Sequence, residues 1–94
     1  MKRITIETRV RQNKDILASN IDEEKVMMSI EKGLYYGLNS VGSHIYDLIG
    51  KTIQVSSLID AVRTKYDVER GDCERDVLDF LEDLYKKGLL LIEE

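Results

Sequence analysis

The sequence has no proline, no tryptophan, one cysteine and one histidine among its 94 residues. Because Cys73 has no partner within the chain, an internal disulfide is excluded, as is usual for a protein of a reducing compartment. No segment has the pattern of a signal peptide or the length of a membrane span, so we expect a cytoplasmic protein. The length predicts one domain over residues 1–94, whose small core leaves little room for the deep substrate cavity of an enzyme.

The chain has little positive charge overall, because its formal net charge is −4. This balance argues against a general nucleic-acid or membrane-surface partner. The first 14 residues are the exception, since they contain five basic residues and the single acid Glu7. The pattern of residues 1–14 fits either a flexible basic arm or an amphipathic strand in which Ile4, Ile6 and Val10 share a face.

Sheet-like segments follow, separated by short turns: 16–21, 25–30 and 34–38. Turns of this length favour an antiparallel meander of three strands. In the middle strand, alternation predicts that Val26, Met28 and Ile30 face the core.

Helical periodicity and stop signals predict three helices after the meander: 40–49, 55–66 and one from about Asp72 to Gly88. Two short extended segments, 52–53 and 89–92, are expected to pair with one another. The predicted fold class is therefore α+β, with a three-stranded antiparallel sheet followed by three helices in a winged-helix-like order.

The run from Gly33 to Gly42 is the most informative stretch. Alternating apolar residues over 34–38 change within three residues to helical spacing from Val41 onward. A strand at such a junction can leave one edge open to the backbone of a partner.

A winged helix raises the question of DNA binding, which depends on the charge of its third helix. Between Asp72 and Tyr85 that helix carries six acids and the single base Arg75. Phosphates would repel such a helix, so a transcriptional regulator is the less favoured alternative.

Catalytic and metal-binding patterns are lacking too. His44 has no recognisable acid–base partner in the sequence, and the acidic neighbours of Cys73 oppose a thiolate. There is no Cys-x-x-Cys, no His-x-x-x-His and no glycine-rich phosphate loop, so we expect no cofactor, no metal and no enzyme activity.

Two motifs carry a family resemblance: Leu38-Asn-x-Val-Gly42 and Cys73-Glu-Arg-Asp-Val77. With the rest of residues 15–92 they resemble the PqqD-like peptide chaperones, also called RiPP recognition elements. The chain is most similar to the discrete leader-peptide-binding proteins of lasso-peptide biosynthesis.

This resemblance implies a function in binding. Such proteins add the leader of a ribosomally made precursor peptide as an antiparallel strand to their third strand, in a groove against the third helix. They present the precursor to a separate leader peptidase and macrolactam cyclase, and the leader carries a Tyr-x-x-Pro-x-Leu element. A related client, a radical enzyme that modifies peptides, is an open alternative.

Carried onto this chain, the resemblance implies a peptide-binding set in two parts: Leu34, Tyr35, Tyr36, Gly37 and Leu38 on the strand, and Arg75, Asp76, Asp79, Phe80 and Asp83 on the third helix. The helix residues also have structural alternatives. The three aspartates fit a solvated acidic face equally well, Arg75 fits a surface ion pair with Asp79, and Phe80 also fits the core.

Overall fold

The computed structural model describes residues 4–93, which form two antiparallel sheets and three helices. In chain order the elements are β1 (Arg9–Gln12), β2 (Ile16–Ile21), β3 (Glu24–Ser29), β4 (Leu34–Leu38), α1 (Ser40–Leu48), β5 (Ile53–Gln54), α2 (Val55–Lys65), α3 (Arg70–Lys86) and β6 (Leu90–Glu93). The α+β class is confirmed, but the strands form two three-stranded sheets and not one.

The predicted meander is the sheet β2-β3-β4. Both outer strands have the predicted bounds, and β3 begins and ends one residue earlier than predicted. Tight turns join the strands: Asp22 (φ 58°) stands between β2 and β3, and Gly33 (φ 65°) directly precedes β4. Glycine is the residue that adopts this left-handed conformation without steric cost.

The predicted core face of β3 is wrong. Met27 is fully buried, Val26 and Met28 are only half-buried, and Ile30 is 64% exposed beyond the strand. Buried polar contacts explain the inversion, because Lys25 lies on the same face as Met27. Its backbone N–H donates to Ser43 Oγ over 2.8 Å, and its ammonium group lies 2.9 Å from an Asp47 carboxylate oxygen.

The second sheet has the order β5-β1-β6, so the expected pairing of 52–53 with 89–92 is also wrong. Both segments pair with β1, which lies between them: Val10 is opposite Ile53 on one side and Ile92 on the other.

The flexible basic arm is wrong for Arg9–Gln12, which form the strand β1, while Ile4 and Ile6 of the expected amphipathic strand lie before it. Val10 is fully buried and Ile4 is 5% exposed, so this segment belongs to the core. The guanidinium Nε of Arg11 lies 2.6 Å from a carboxylate oxygen of Glu93 on β6. This ion pair locally neutralises one positive charge of the basic segment. Lys2 and Arg3 lie outside the described residues.

The helices close the core over the two sheets. Asn39 caps α1, with its side-chain oxygen accepting from Gly42 N–H over 2.8 Å. The third helix begins at Arg70, two residues before the predicted Asp72, and Gly88 (φ 75°) follows its end. Tyr46 on α1 is 1% exposed and donates its hydroxyl to the carbonyl of Leu89 over 3.0 Å. That bond ties α1 to the chain just before β6.

Candidate functional site

A groove of about 560 Å³ runs along the molecule where β4 and α1 face α3. Its lining is mainly apolar and comes from β4, α1, α3 and the segment around the end of α2: Gly37, Leu38, Asn39, Val41, Gly42, Ile45, Val62, Tyr66, Val68, Cys73, Asp76, Val77, Phe80, Asp83 and Lys87. A mainly apolar lining with a few polar groups suits a ligand that presents apolar side chains or groups.

One wall of the groove begins at β4, which is an edge strand. Within residues 4–93, β4 pairs with β3 on one side and with no strand on the other. An edge strand presents unpaired N–H and C=O groups that can hydrogen-bond to an added strand. The groove begins at that edge, since Gly37 and Leu38 are part of its lining.

The middle of the groove depends on a close approach between α1 and α3. A Cβ at Gly42 would lie 3.2 Å from Cζ of Phe80 and 3.3 Å from the capping oxygen of Asn39. Glycine therefore allows the Phe80 ring to lie directly against the first turn of α1.

The wall of the groove that α3 forms is buried at its bottom and charged at its rim. Cys73 and Val77 are each 3% exposed, and burial raises the pKa of the Cys73 thiol, so this thiol is a packing group and a poor nucleophile. Asp83 and Lys87 form an i,i+4 ion pair of 2.8 Å, and the Lys87 ammonium lies 5.5 Å from the centroid of the Tyr36 ring. Lys87 therefore connects the end of α3 to β4.

The groove continues beyond the end of β4. Lys87 lies beside Tyr36, and Phe80 lies beside Gly42, so α3 runs antiparallel to the path from β4 into α1. The lining also includes Val68, just before α3, and Asp76 in the first half of α3, and both are exposed.

No group of three or more His, Cys, Asp or Glu side chains within residues 4–93 is placed to hold a metal ion. His44 lies outside the groove, and burial, followed by the charge of Lys65, lowers its pKa. No helix of the described part of the chain is long and apolar enough to cross a membrane.

Residues 24–90, which include β3, β4 and all three helices, match the family model of coenzyme PQQ synthesis protein D, PqqD. The chain belongs to the PqqD family. The PqqD-like resemblance noted from the two sequence motifs is thereby confirmed.

Two solved structures have the same fold as this PqqD chain. The first, "TbiB1 in Complex with the TbiA(beta) Leader Peptide", is 36% identical with a TM-score of 0.78, and the match covers 85% of this chain and 93% of the other. The second, "Lasso peptide synthetase B1 complexed with the leader peptide", is 24% identical with a TM-score of 0.77, and the match covers 87% and 96%. No curated protein sequence matches the chain.

Half of the predicted site residues come together in the groove of this PqqD chain: Gly37, Leu38, Asp76, Phe80 and Asp83. Tyr36 lies at one end of the groove, half-buried beneath the Lys87 ammonium group. Leu34, at the start of β4, is 48% exposed and is not part of the lining.

Three predicted residues lie elsewhere. Tyr35 is opposite Met28 on the outer face of the meander and is 72% exposed. Arg75 and Asp79 line a different cavity, on the side of α3 that faces Ile4. The proposed ion pair of Arg75 with Asp79 is not formed, because Arg75 lies 3.2 Å from Asp72 and 3.6 Å from Asp76.

Several groove residues were missed by sequence reasoning: Val41, Ile45, Tyr66, Val68, Cys73, Val77 and Lys87. Helical spacing assigned most of them to the core, and several are indeed buried. Val41 and Val68 are the informative exceptions, since these large apolar side chains are 39% and 37% exposed.

Proposed function

We propose that the chain binds the leader region of a ribosomally synthesised precursor peptide and presents it to separate processing enzymes. The observation that carries this proposal is the continuity of the free β4 edge with an apolar groove against α3. Backbone pairing along β4 supplies affinity that tolerates sequence variation, and the groove selects apolar and aromatic side chains. The 36% identity with TbiB1, whose structure contains a leader peptide, supports the same mode here.

In this mode the leader runs antiparallel to β4. Its paired part lies beside residues 34–38, and its N-terminal flank continues along α1 toward Val68 and Asp76. We propose that Gly37, Leu38, Phe80 and the carboxylates of Asp76 and Asp83 contact the peptide. Leu34, Tyr35 and Tyr36 contribute backbone groups of the edge strand, while Arg75 and Asp79, on the other side of α3, have no direct contact in this arrangement.

The proposed role is one of recognition without catalysis, in the cytoplasm, with a leader peptidase and a macrolactam cyclase of lasso-peptide maturation as partner enzymes. Among the groove's lining residues within 4–93 there is no nucleophile–base pair, and the one thiol there is buried with a raised pKa. A radical enzyme is the alternative client, and the groove does not discriminate between these enzymes because it contacts only the leader.

We infer a winged-helix-like arrangement for the segment α1-β5-α2-α3-β6, but its charge disfavours DNA. The helix that would enter the major groove carries six acids against the bases Arg70, Arg75 and Lys86. A gel shift at low salt with random duplex DNA is expected to show no complex.

The proposal is tested by calorimetric titration with a synthetic leader peptide that contains the Tyr-x-x-Pro-x-Leu element. We expect a dissociation constant between nanomolar and low micromolar, or about −8 to −12 kcal/mol. A core peptide without the leader serves as the control and should not bind. Absence of heat with the leader at tens of micromolar would contradict the proposal.

A further inference from the structure

The outer face of the meander is apolar and uncovered. Antiparallel pairing places Leu17, Met28 and Tyr35 in one row across the three strands, and Ser19, Val26 and Gly37 in the next. Leu17 is 54% exposed, Ile21 60% and Tyr35 72%, and none of the three belongs to the described core or to the side chains packed against it. Large apolar side chains grouped on one exposed face mark an interaction surface.

The edge strand β2 extends this surface. Every residue of β2 after Ile16 is exposed, and within residues 4–93 β2 pairs only with β3. The strand contains no charged residue and no proline, although exposed edges usually carry such groups to prevent unwanted pairing. An edge without them is suited to a contact.

Charge at the ends of the strands indicates what kind of partner fits. The exposed residues from 14 to 33 include five acids and two bases: Asp15, Asp22, Glu23, Glu24, Glu31, Lys14 and Lys32. Of the bases, Lys32 is directed away, since its ammonium group donates to the carbonyl of Lys87 over 3.2 Å. The apolar face therefore has an acidic rim, which complements a partner whose apolar patch is bordered by lysine or arginine.

The size of the face argues against a second copy of the chain as the occupant. Three strands of at most six residues, about 4.8 Å apart, cover roughly 300 Å². A stable interface needs about 800 Å² from each partner, and two acidic rims would repel each other. A leader strand on β4 would widen the same sheet by one strand next to Tyr35, so a partner that touches both the face and the peptide gains the missing area.

We propose that this outer face, centred on Leu17, Met28 and Tyr35, is the docking surface for the enzyme that processes the leader-bound precursor, and that the enzyme meets it with an apolar patch bordered by basic residues. This inference rests on the proposed function, because the leader must occupy β4. It gives Tyr35 a divided role, with its backbone in the edge strand and its side chain on the docking surface.

The test uses Leu17→Lys and its matched control Ala18→Lys. Both place the same charge on exposed positions of β2, but Ala18 is opposite Met27 and points to the other side of the sheet. Two quantities are measured for each variant: the affinity for the synthetic leader peptide, and the rate at which the leader peptidase of the same precursor cleaves that precursor in the presence of the variant. Circular dichroism melts establish that each variant is folded.

We expect Leu17→Lys to bind the leader with wild-type affinity and to lower the cleavage rate at limiting protein by about tenfold or more, while Ala18→Lys retains the wild-type rate. Ile21→Lys, on the same face of β2 and outside the groove, should act like Leu17→Lys. Wild-type cleavage with folded, leader-binding Leu17→Lys and Ile21→Lys would overturn the docking surface. A dimer of the wild-type chain by light scattering that Leu17→Lys dissociates would also overturn it, in favour of self-association. Failure of the wild-type chain to bind the leader would instead remove the proposed function.

Discussion

The two sheets of this molecule differ in how much of each strand other elements cover. In the sheet β5-β1-β6, the central strand pairs on both sides, and Val10 and Leu90 are fully buried. In the meander β2-β3-β4, both edges are unpaired among the described residues, and one face carries Leu17 and Tyr35 at 54% and 72% exposure. Burial of apolar surface supplies most of the folding free energy, so the first sheet stabilises the domain. The second sheet retains the unpaired edges and apolar surface that a peptide and a protein partner need.

The largest expected effect separates the sheets by stability. Leu90→Ala, in the buried sheet, should lower the free energy of unfolding by about 2–5 kcal/mol. Leu17→Ala, on the meander, should change it by less than about 0.5 kcal/mol because Leu17 is already 54% exposed. Urea denaturation followed by circular dichroism measures both. Similar losses in the two variants would remove the distinction.

A second prediction concerns the bond that ties α1 to the chain before β6. Burial raises the pKa of Tyr46 to about 12, from an ordinary value of 10.0. Because the folded pKa is the higher one, the stabilising contribution is fully present below pH 10 and is lost as the pH rises toward 12. At pH 11 the wild-type free energy of unfolding should have fallen by about 1 kcal/mol from this group.

Tyr46→Phe provides the control for that pH dependence. It removes the hydroxyl that donates to the Leu89 carbonyl, so the variant should be less stable at pH 8. Its stability should fall less between pH 10 and 12 than that of the wild type. An identical fall in both proteins would show that Tyr46 does not titrate with a raised pKa.

The third prediction sharpens the comparison within the groove. Gly42→Ala adds a methyl group against Phe80 and should weaken leader binding several-fold, or about 1 kcal/mol. The thermal midpoint should stay close to that of the wild type, because the better helix propensity of alanine, also about 1 kcal/mol, offsets the crowding.

Gly71→Ala, in the first turn of α3, is the matched control for this variant. Its added Cβ would find only a Glu69 carboxylate oxygen, at 3.8 Å, and it lies outside the groove. Leader affinity should therefore be unchanged in Gly71→Ala. Equal affinity in both glycine variants would show that the contact of α1 with Phe80 does not shape the binding site.

The smallest expected effect on leader binding concerns two aspartates on different sides of α3. Asp76→Ala should weaken leader binding by roughly twofold to fivefold, since exposed charges contribute less than about 1 kcal/mol. Asp79→Ala removes the same group three residues further along, on the side facing Ile4, and should bind the leader as the wild type does. Both are read by fluorescence anisotropy, with thermal melts as the fold control. Equal weakening in the two variants would favour a general effect of negative charge over a contact at Asp76.

The sequence predicted the meander and the three helices closely because the change from alternating to helical spacing is local. Residues 34–38 and the helix from Ser40 are separated only by the capping Asn39, and Gly33 marks the preceding turn. The position of β1 was beyond such reasoning, since Arg11 pairs with Leu91, 80 residues away. The prediction of the core face of β3 was wrong for another reason. Both faces of this strand carry apolar residues, and the face that contains buried Lys25 is the one that turns inward.

Only half of the predicted binding residues are part of the groove, and the geometry of α3 explains why some of them are not. At 100° per residue, Asp83 lies about 20° from Asp76 around α3, and Phe80 lies about 40° from it. Asp79 and Arg75 are displaced by about 60° and 100° to the opposite side from Phe80. A helical pattern of acids alone does not reveal which side meets β4, and only the packing of Phe80 on Gly42 fixes it.

The most direct test of strand addition compares the two free edges of the meander by amide hydrogen exchange with and without the leader peptide. Strand addition on β4 predicts that amides of residues 34–38 that point away from β3 exchange more slowly, by about tenfold or more. Amide exchange in β2, residues 16–21, should be unchanged. Protection is also expected along the groove at Gly42. Protection of β2, or of β1 around Arg9 and Arg11, with unchanged exchange in β4 would contradict the account.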